Sequence, residues 1–325
     1  MDNRDLLVVK NLKKYFPLKR RFFWRSQDCI KAVDGVNLGV KKGETLGLVG
    51  ESGCGKSTLG RCILRLEEPT EGEIYFENQA ILSYDHKKMR HLRRNMQIVF
   101  QDPYSSLNPH KMAGQIIGES FEIHGILSRK NRQERVRELM AVVGLLPEQI
   151  NRFPHEFSGG QRQRICVARA LSLNPKLVIA DEPVSALDVS IQAQILNLLV
   201  QLQQQFDLTY IFISHDLSVV RHISERVAVM YLGRIVELAD KDSLYSHPFH
   251  PYTEALLLAV PVANPMKKRV QAFLEGDVPS PINPPPGCSF HPRCKYRQEI
   301  CTQSVPTMEE IEPRHWVACN FPRKG

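Results

Sequence analysis

Apolar and polar positions follow two different periods along this chain of 325 residues. Short apolar runs of the kind that form buried strands lie at residues 36–40, 45–49, 72–76, 96–101, 176–183 and 209–216. Segments with apolar residues spaced three or four apart predict helices at residues 56–66, 113–124, 129–144, 159–175, 190–206 and 217–224. Residues 226–240 predict a hairpin, because two apolar runs flank Gly233.

The order of these elements predicts an α/β fold. Strands that alternate with helices indicate βαβ units and therefore a mainly parallel core sheet. We expect one large domain over residues 1–262, with a helical part at about 103–175, and a small extension over residues 263–325. Within that extension, PSPINPPPG at residues 279–287 predicts a proline-rich linker, because proline cannot continue a helix.

The charge of the chain leaves its partners open. The net charge is +8, which suits a nucleic-acid surface, a membrane surface or a scattered solvated face; we favour the last. KRRFFWR at residues 19–25 predicts either an extended basic loop or an edge hairpin. Because no apolar run approaches about eighteen residues and the start has no apolar signal region, we expect a cytosolic protein that reaches a membrane only through a partner.

A glycine-rich stretch predicts a nucleotide site. GESGCGKST at residues 50–58 fits the phosphate-loop pattern between a predicted strand and a predicted helix. The residues expected to bind the nucleotide, ATP or GTP, are Gly50, Glu51, Ser52, Gly53, Cys54, Gly55, Lys56, Ser57 and Thr58. Glycines let backbone N–H groups turn toward phosphates, Lys56 is expected on the β- and γ-phosphates, and Ser57 is expected to ligate Mg²⁺.

Polar residues at strand ends predict the catalytic groups. The apolar run LVIADEP ends in Asp181, expected to hold Mg²⁺, and in Glu182, expected to take a proton from the attacking water. Gln101 follows another predicted strand, where it could touch both Mg²⁺ and water, and His215 follows a third, where it could bind the γ-phosphate. The carboxyl ends of strands are where α/β sheets bind their ligands.

A second glycine-rich segment, FSGGQ at residues 157–161, follows far along the chain. Taken with GESGCGKST, Gln101, LVIADEP, SALD and His215, it resembles the ATPase subunit of ABC transporters over about the first 260 residues. The resemblance implies an ABC-type P-loop ATPase with an antiparallel β subdomain and a helical subdomain. It also implies that two ATPase units pack head to tail. Ser158, Gly159, Gly160, Gln161 and Asp188 would then reach the ATP of the partner, and Phe16 or Tyr15 would stack on adenine.

Three further stretches narrow the resemblance. QDPYSSLNP, HPYTEALL and PSPINPPPGCSFHPRC look like the F-type ATPase of bacterial dipeptide and oligopeptide importers. The likeness implies a D-type ATPase partner, two permeases, an indirect extracytoplasmic binding protein, and a peripheral place on the cytoplasmic face of the inner membrane, without nucleic acid. Residues 102–125 would receive a permease, with Tyr104 and Leu107 as expected contacts.

Four cysteines crowd into the end of the chain: Cys288, Cys294, Cys301 and Cys319. Clustered cysteines in a reducing compartment indicate metal rather than disulfides. Their wide spacing favours a [4Fe–4S] cluster, which the resemblance also implies, over structural zinc or free thiols. Nothing in the sequence assigns the cluster a redox task.

The sequence leaves several alternatives open. Nickel or glutathione import, a soluble ABC ATPase that acts elsewhere, and a redox-sensing regulator all remain, as does the choice between a homodimer and a heterodimer. The cargo is read by other subunits, so this chain does not identify it.

Overall fold

The computed structural model describes residues 5–18, 29–259 and 276–323. The basic run at residues 19–25 and the predicted domain boundary at residue 262 lie outside these ranges. The described strands are β1 Asp5–Pro17, β2 Cys29–Lys41, β3 Thr45–Val49, β4 Glu71–Phe76, β5 Gln79–Ala80, β6 Met96–Val99, β7 Leu177–Asp181, β8 Thr209–Ser214, β9 Arg226–Tyr231, β10 Arg234–Asp240, β11 Glu309–Glu312 and β12 His315–Val317.

Eleven α-helices lie within the described ranges. They are α1 Lys56–Ile63, α2 His86–Leu92, α3 Pro103–Ser106, α4 Ala113–Ile123, α5 Arg129–Val142, α6 Gly159–Leu171, α7 Val189–Phe206, α8 Leu217–Ile223, α9 Lys241–Ser246, α10 Pro251–Ala259 and α11 Ile300–Gln303. None of these described helices is long and apolar enough to cross a membrane.

The chain divides into two compact units, described separately below. The first unit comprises the described parts of Met1–Lys41, Thr45–Ser83 and Ser214–Gly325, and the second comprises Lys42–Glu44 and Tyr84–Ile213. The second unit therefore contains the helical segment that the sequence predicts at about residues 103–175, together with three strands.

The first unit contains an antiparallel sheet and part of a mixed one. The antiparallel strands lie in the order β2-β1-β4-β5, and the mixed strands in the order β11-β12-β10-β9-β3. β3 pairs with β9 in parallel, with Val49 opposite Val229. All five residues of β3 are buried, which is why this strand is an uninterrupted apolar run rather than an alternating one.

The second unit is built on three parallel strands in the order β8-β7-β6. Ile179 of β7 lies opposite Ile98 on one side and Ile211 on the other. β7 and β8 are completely buried along their length. Functional side chains in this unit therefore follow the strand ends, where the backbone leaves the core.

The sequence pattern differs from the structure at several places, of which α1, β1, β11 and β12 are examples. The helix predicted to residue 66 ends at Ile63, because Arg65 adopts a left-handed backbone with φ of 51°. The pattern also missed β1, whose pairing with β2 is interrupted by register shifts that blur the period of two. β11 and β12 were missed because each is only three or four residues long.

Candidate nucleotide-binding site

The phosphate loop, residues 50–58, connects β3 to α1 in the first unit. Gly55 is the N-cap of α1 and has φ of 107°, a conformation that favours glycine. A Cβ atom there would lie 1.9 Å from the carbonyl oxygen of Ala32. This position therefore excludes every side chain, on both conformational and steric grounds.

Lys56 is enclosed by the loop that it belongs to. Its side chain is buried, and Nζ donates to the carbonyl oxygens of Gly50 at 2.7 Å and Glu51 at 2.9 Å. A buried ammonium beside the amino end of α1 concentrates positive potential where an anion would bind. Burial raises the pKa of the neighbouring Cys54 thiol, so Cys54 stays neutral and acts here as a small side chain.

Two side chains from the end of the first unit support this loop, and sequence reasoning missed both. The Glu51 N–H donates to the Tyr252 hydroxyl at 2.9 Å. The Arg293 guanidinium donates to both Glu51 carboxylate oxygens, at 2.7 and 3.0 Å. The only sequence signal was that HPYTEALL and FHPRC are distinctive stretches, and neither stretch indicates which loop its residues contact.

The predicted acids lie at the end of β7 in the second unit. Asp181 closes the strand and is buried. Glu182 follows in a left-handed conformation with φ of 47°, which is uncommon for a residue other than glycine. Gln101 Nε2 donates to Glu182 Oε2 at 3.0 Å. The structure thus brings Gln101 and Glu182 together across 81 positions of the sequence.

The second glycine-rich segment begins α6. Ser158 is its N-cap, and the serine and Gln161 form a capping box: Ser158 Oγ accepts from the Gln161 N–H at 3.3 Å, and Gln161 Oε1 accepts from the Ser158 N–H at 3.0 Å. A Cβ atom on Gly160 would lie 2.5 Å from Ile191 Cγ2. The second glycine is therefore required by packing against α7, whatever else it does.

The remaining predicted site residues differ in exposure. Asp188 is the exposed N-cap residue of α7, without a side-chain capping bond, and His215 is exposed just after β8. Tyr104 is 63% exposed, with Arg162 over its ring, whereas Leu107 is 2% exposed. The expectation that Leu107 meets a permease is wrong for this conformation, because its side chain is part of the core.

Tyr15 and Phe16 have different surroundings on β1. The Tyr15 hydroxyl donates to Asp34, which also accepts two hydrogen bonds from Arg234. Burial and the Asp34 bond raise the pKa of Tyr15. Phe16 carries the Lys14 ammonium over its ring, 4.7 Å from the centroid. Tyr15 is thus engaged within its own unit through its polar end.

The four clustered cysteines line one cavity in the first unit. The other lining residues are His250, Pro251, Phe290, His291, Tyr296, Asn320 and Phe321. Burial raises the pKa of Cys288, Cys294 and Cys319. Among the described residues, no group of three or more His, Cys, Asp or Glu side chains is arranged to hold a metal ion. The iron–sulfur centre and its zinc alternative stay predictions.

Two family profiles match the chain. The profile described as ABC transporter matches residues 33–185, which include the phosphate loop, Gln101, the SGGQ segment and the acids after β7. The profile described as Oligopeptide/dipeptide transporter, C-terminal region, matches residues 236–301, which include Tyr252, Arg293 and three of the four clustered cysteines.

Curated relatives match over nearly their whole length. The chain is 56% identical to the oligopeptide transport ATP-binding protein AppF of Bacillus subtilis (strain 168), over 98% of each chain. It is 52% identical to the dipeptide transport ATP-binding protein DppF of Escherichia coli (strain K12), over 94% of this chain and 92% of that one. The likeness therefore includes the cysteine-rich end.

A solved structure shares the architecture. The dimeric post-hydrolysis state of the ATP-binding cassette MJ0796, bound to ADP and Pi, matches with a TM-score of 0.64 and 31% identity. The match covers 72% of this chain and 98% of that one. The predicted C-terminal extension over residues 263–325 stays a prediction.

Proposed function

We propose the residue roles below on one premise: the chain belongs to the ATP-binding subunits of oligopeptide and dipeptide ABC transporters. Its fold is the ABC-type α/β P-loop ATPase fold, and its activity is ATP hydrolysis coupled to peptide transport. The predicted family, fold class and activity are therefore confirmed. The observation that carries this conclusion is the 56% identity over 98% of the chain.

In the first unit, the phosphate loop binds the triphosphate. Lys56 leaves the carbonyls of Gly50 and Glu51, which it contacts at 2.7 and 2.9 Å, and turns its ammonium to the β- and γ-phosphates. The remaining loop residues from Ser52 to Thr58 offer N–H groups at the start of α1. Phe16 stacks on adenine, since the Tyr15 hydroxyl is already bound to Asp34.

In the second unit, Glu182 acts as the base. It takes a proton from the water that attacks the γ-phosphate in line. The Gln101 amide lies 3.0 Å from Glu182 Oε2 and orients the Glu182 carboxylate. The buried Asp181, at the end of β7, fixes the backbone that leads into Glu182. His215, which belongs to the first unit, donates to the γ-phosphate. Each of these side chains lies just after the end of a different strand.

Oxygen atoms on Ser57, Asp181 and Gln101 suit Mg²⁺, which prefers hydroxyl, carboxylate and amide oxygen ligands. Asp181 is a buried carboxylate at a strand end, and donation by Gln101 Nε2 to Glu182 leaves the amide oxygen of Gln101 for the metal. When bound, Mg²⁺ supplies positive charge to the phosphates. Asp181 and Gln101 would each offer Mg²⁺ a ligand from the second unit, and Ser57 would offer one from the first.

The SGGQ segment serves the ATP of a partner ATPase. Ser158 and Asp188 are exposed, and the 13-residue helix α6 directs its positive end outward. The likeness to a cassette solved as a dimer supports the pairing of two ATPase units. We propose a D-type ATPase as that partner, so that the working unit is a heterodimer.

Two permeases and a binding protein complete the proposed assembly. Tyr104, exposed at the start of the helical segment with Arg162 on its ring, is the proposed permease contact. The complex would lie at the cytoplasmic face of the bacterial inner membrane, with this chain as a peripheral subunit. The extracytoplasmic binding protein would act on this chain only through the permeases.

The cysteine cavity suits a [4Fe–4S] cluster better than zinc. All four cysteines line one cavity, and their wide spacing along the chain favours an iron–sulfur cluster over tetrahedral zinc, which would need each sulfur at about 2.3 Å. A four-iron cluster holds its thiolates further apart. Cys288, Cys294, Cys301 and Cys319 would hold it as a structural element, shielded by Phe290 and Phe321.

Uptake in cells tests the transport function. A strain that lacks its own copy is complemented with the wild-type chain or with Lys56→Met, and labelled dipeptide, pentapeptide, glutathione and Ni²⁺ are offered separately. We expect the wild type to restore peptide uptake and Lys56→Met to fail. If only glutathione or only nickel uptake is restored, that compound replaces peptides as the proposed cargo. If no uptake is restored although the chain still hydrolyses ATP, the result favours an ABC ATPase with a role outside transport.

A further inference from the structure

A partly buried ion pair joins the cysteine-rich segment, residues 288–319, to the phosphate loop. The side chain of Arg293 is 5% exposed, and that of Glu51 is 25% exposed. Two guanidinium N–H groups donate to the two carboxylate oxygens at 2.7 and 3.0 Å. This two-point geometry fixes both direction and distance, unlike a single contact from a lysine.

Arg293 has little freedom of its own. It lies in a helical turn, His291–Arg293, and its N–H donates to the carbonyl oxygen of Phe290 at 3.0 Å. The Phe290 ring is 2% exposed and packs against Tyr231, with centroids 5.3 Å apart, and against Tyr252, with centroids 5.4 Å apart. The position of the guanidinium is therefore set by the packing of the whole segment.

Glu51 is held at three points. Its N–H donates to the Tyr252 hydroxyl, its carbonyl oxygen accepts from Lys56 Nζ, and its carboxylate accepts from Arg293. Tyr252 and Arg293 both come from the C-terminal part of the first unit, whereas Lys56 belongs to the loop. The phosphate loop is thus held at Glu51 by two residues from outside the loop, Tyr252 and Arg293.

The negative charge of Glu51 is the reason why its contact with Arg293 affects phosphate binding. A carboxylate in a loop that binds phosphates repels them, and the repulsion is strong where water is partly excluded. Arg293 neutralises that carboxylate from the side. Hydrogen bonding to Glu51 also raises the pKa of Arg293, so the guanidinium remains charged.

A second arginine of the same segment gives the contrast. Arg314 also pairs with a carboxylate, Asp240 Oδ1, at 2.9 Å, but its side chain is 58% exposed and its partner lies on β10. Exposed pairs of this kind contribute little to stability. Arg314 pairs with β10 rather than with the phosphate loop and therefore provides a matched control.

We propose that Arg293 is a positioning residue for ATP binding: it neutralises and holds Glu51, so that the phosphate loop accepts ATP only while the cysteine-rich segment is docked. The inference rests on the proposed ATP site and extends it, because it makes nucleotide affinity depend on a segment some 240 residues away from the loop. Arg293 itself touches no phosphate in this scheme.

The test measures the Kd of ATP for purified full-length variants by titration of a fluorescent analogue, together with the melting temperature and the bound iron. Arg293→Met is expected to weaken ATP binding about tenfold, the size seen for coupled residues that do not touch ligand. Glu51→Gln added to Arg293→Met removes the stranded carboxylate and is expected to recover affinity to within about threefold of wild type. Arg314→Met is expected to bind ATP as the wild type does.

Unchanged affinity in Arg293→Met, or a loss that Glu51→Gln does not relieve, would overturn the proposal. If Arg293→Met does not fold, Arg293→Lys takes its place: it keeps the charge but not the fork, and an affinity equal to wild type would overturn the proposal. Failure of the ATP site itself is distinguishable, since the wild-type chain would then not bind ATP at all.

Discussion

The two glycine-rich segments of this chain differ in what surrounds them. The phosphate loop is enclosed by its own unit: Lys56 is buried, and Tyr252 and Arg293 hold Glu51 from behind. The SGGQ segment is capped only by its own side chains, and Ser158 remains exposed. A loop that its own chain supports on several sides can bind phosphate by itself, whereas an exposed capped helix end is suited to an anion brought by another molecule.

The largest expected effect comes from removing the base. Glu182→Gln is expected to lower kcat for ATP hydrolysis about a thousandfold, because an amide cannot accept the proton from water. The phosphate loop is untouched, so the Kd of ATP stays the same and the ATP-bound pair of ATPases accumulates. Steady-state ATPase assays measure kcat, and size-exclusion chromatography measures the accumulation of the ATP-bound pair.

Glu148→Gln is the control for this change, since Glu148 is exposed and lies away from the strand ends. Full-rate hydrolysis in Glu182→Gln would remove Glu182 from the role of base. Accumulation of the pair in the control as well would show that the association has another cause.

A negative charge at position 158 distinguishes the helix-capping role of Ser158 from its proposed role in binding the partner's ATP. Ser158→Asp keeps an excellent helix cap but places a carboxylate where the partner's γ-phosphate would lie. We expect an unchanged melting temperature and hydrolysis reduced about a hundredfold, comparable with the loss of one transition-state donor. The assay uses the assembled pair of ATPases, and ATP binding to the isolated chain is measured in parallel.

Ser128 caps another helix and provides a control for the capping role of Ser158. It is the N-cap of α5 and accepts from the Asn131 N–H at 3.4 Å. Ser128→Ala and Ser158→Ala should each cost about 1 kcal/mol of unfolding free energy, but only the second should slow hydrolysis. Equal rates for both would reduce the SGGQ segment to an ordinary helix start.

The two glycines of SGGQ are expected to respond differently. An alanine Cβ at Gly160 would lie 2.5 Å from Ile191 Cγ2, whereas at Gly159 the nearest atom, Leu187 Cδ2, is 3.4 Å away. Gly160→Ala should lower the unfolding free energy by about 2 kcal/mol through overpacking. Gly159→Ala should leave it nearly unchanged; urea denaturation compares the two, and Ile191→Ala added to Gly160→Ala should relieve the loss.

The smallest expected effect concerns adenine. Phe16→Ala should weaken ATP binding about tenfold, in line with the loss of one stacked ring. Tyr15→Phe removes only the hydroxyl that binds Asp34 and should change the Kd of ATP less than twofold. A larger loss in Tyr15→Phe than in Phe16→Ala would reverse the assignment. Isothermal titration calorimetry with ATP shows which of the two variants loses more affinity.

The parts of the site that could be predicted from the sequence are local. Residues 50–58 and Asp181 with Glu182 combine a buried strand with a fixed run of polar or small residues, so a few adjacent positions determine the backbone. The capping box of Ser158 and Gln161 is likewise visible as serine followed three residues later by glutamine. These predictions needed no information about distant parts of the chain.

The parts that could not be predicted depend on contacts between distant segments. Arg293 and Glu51 are 242 positions apart, and nothing in either stretch indicates the other. Leu107 was expected to contact a permease because the resemblance assigns residues 102–125 to that interface, but tertiary packing buries its side chain. β12 is a strand because it pairs with β10, with Trp316 opposite Leu238, and with β11, with Trp316 opposite Glu310; three residues carry no period of their own.

The most direct test of this account is a structure of the Glu182→Gln variant with its ATPase partner, ATP and Mg²⁺. The account predicts that Ser158 and the N–H groups of Gly159 and Gly160 lie about 3 Å from the γ-phosphate bound by the partner's phosphate loop. A closed, ATP-loaded pair in which residues 158–160 face solvent, or contact only their own chain, would contradict it.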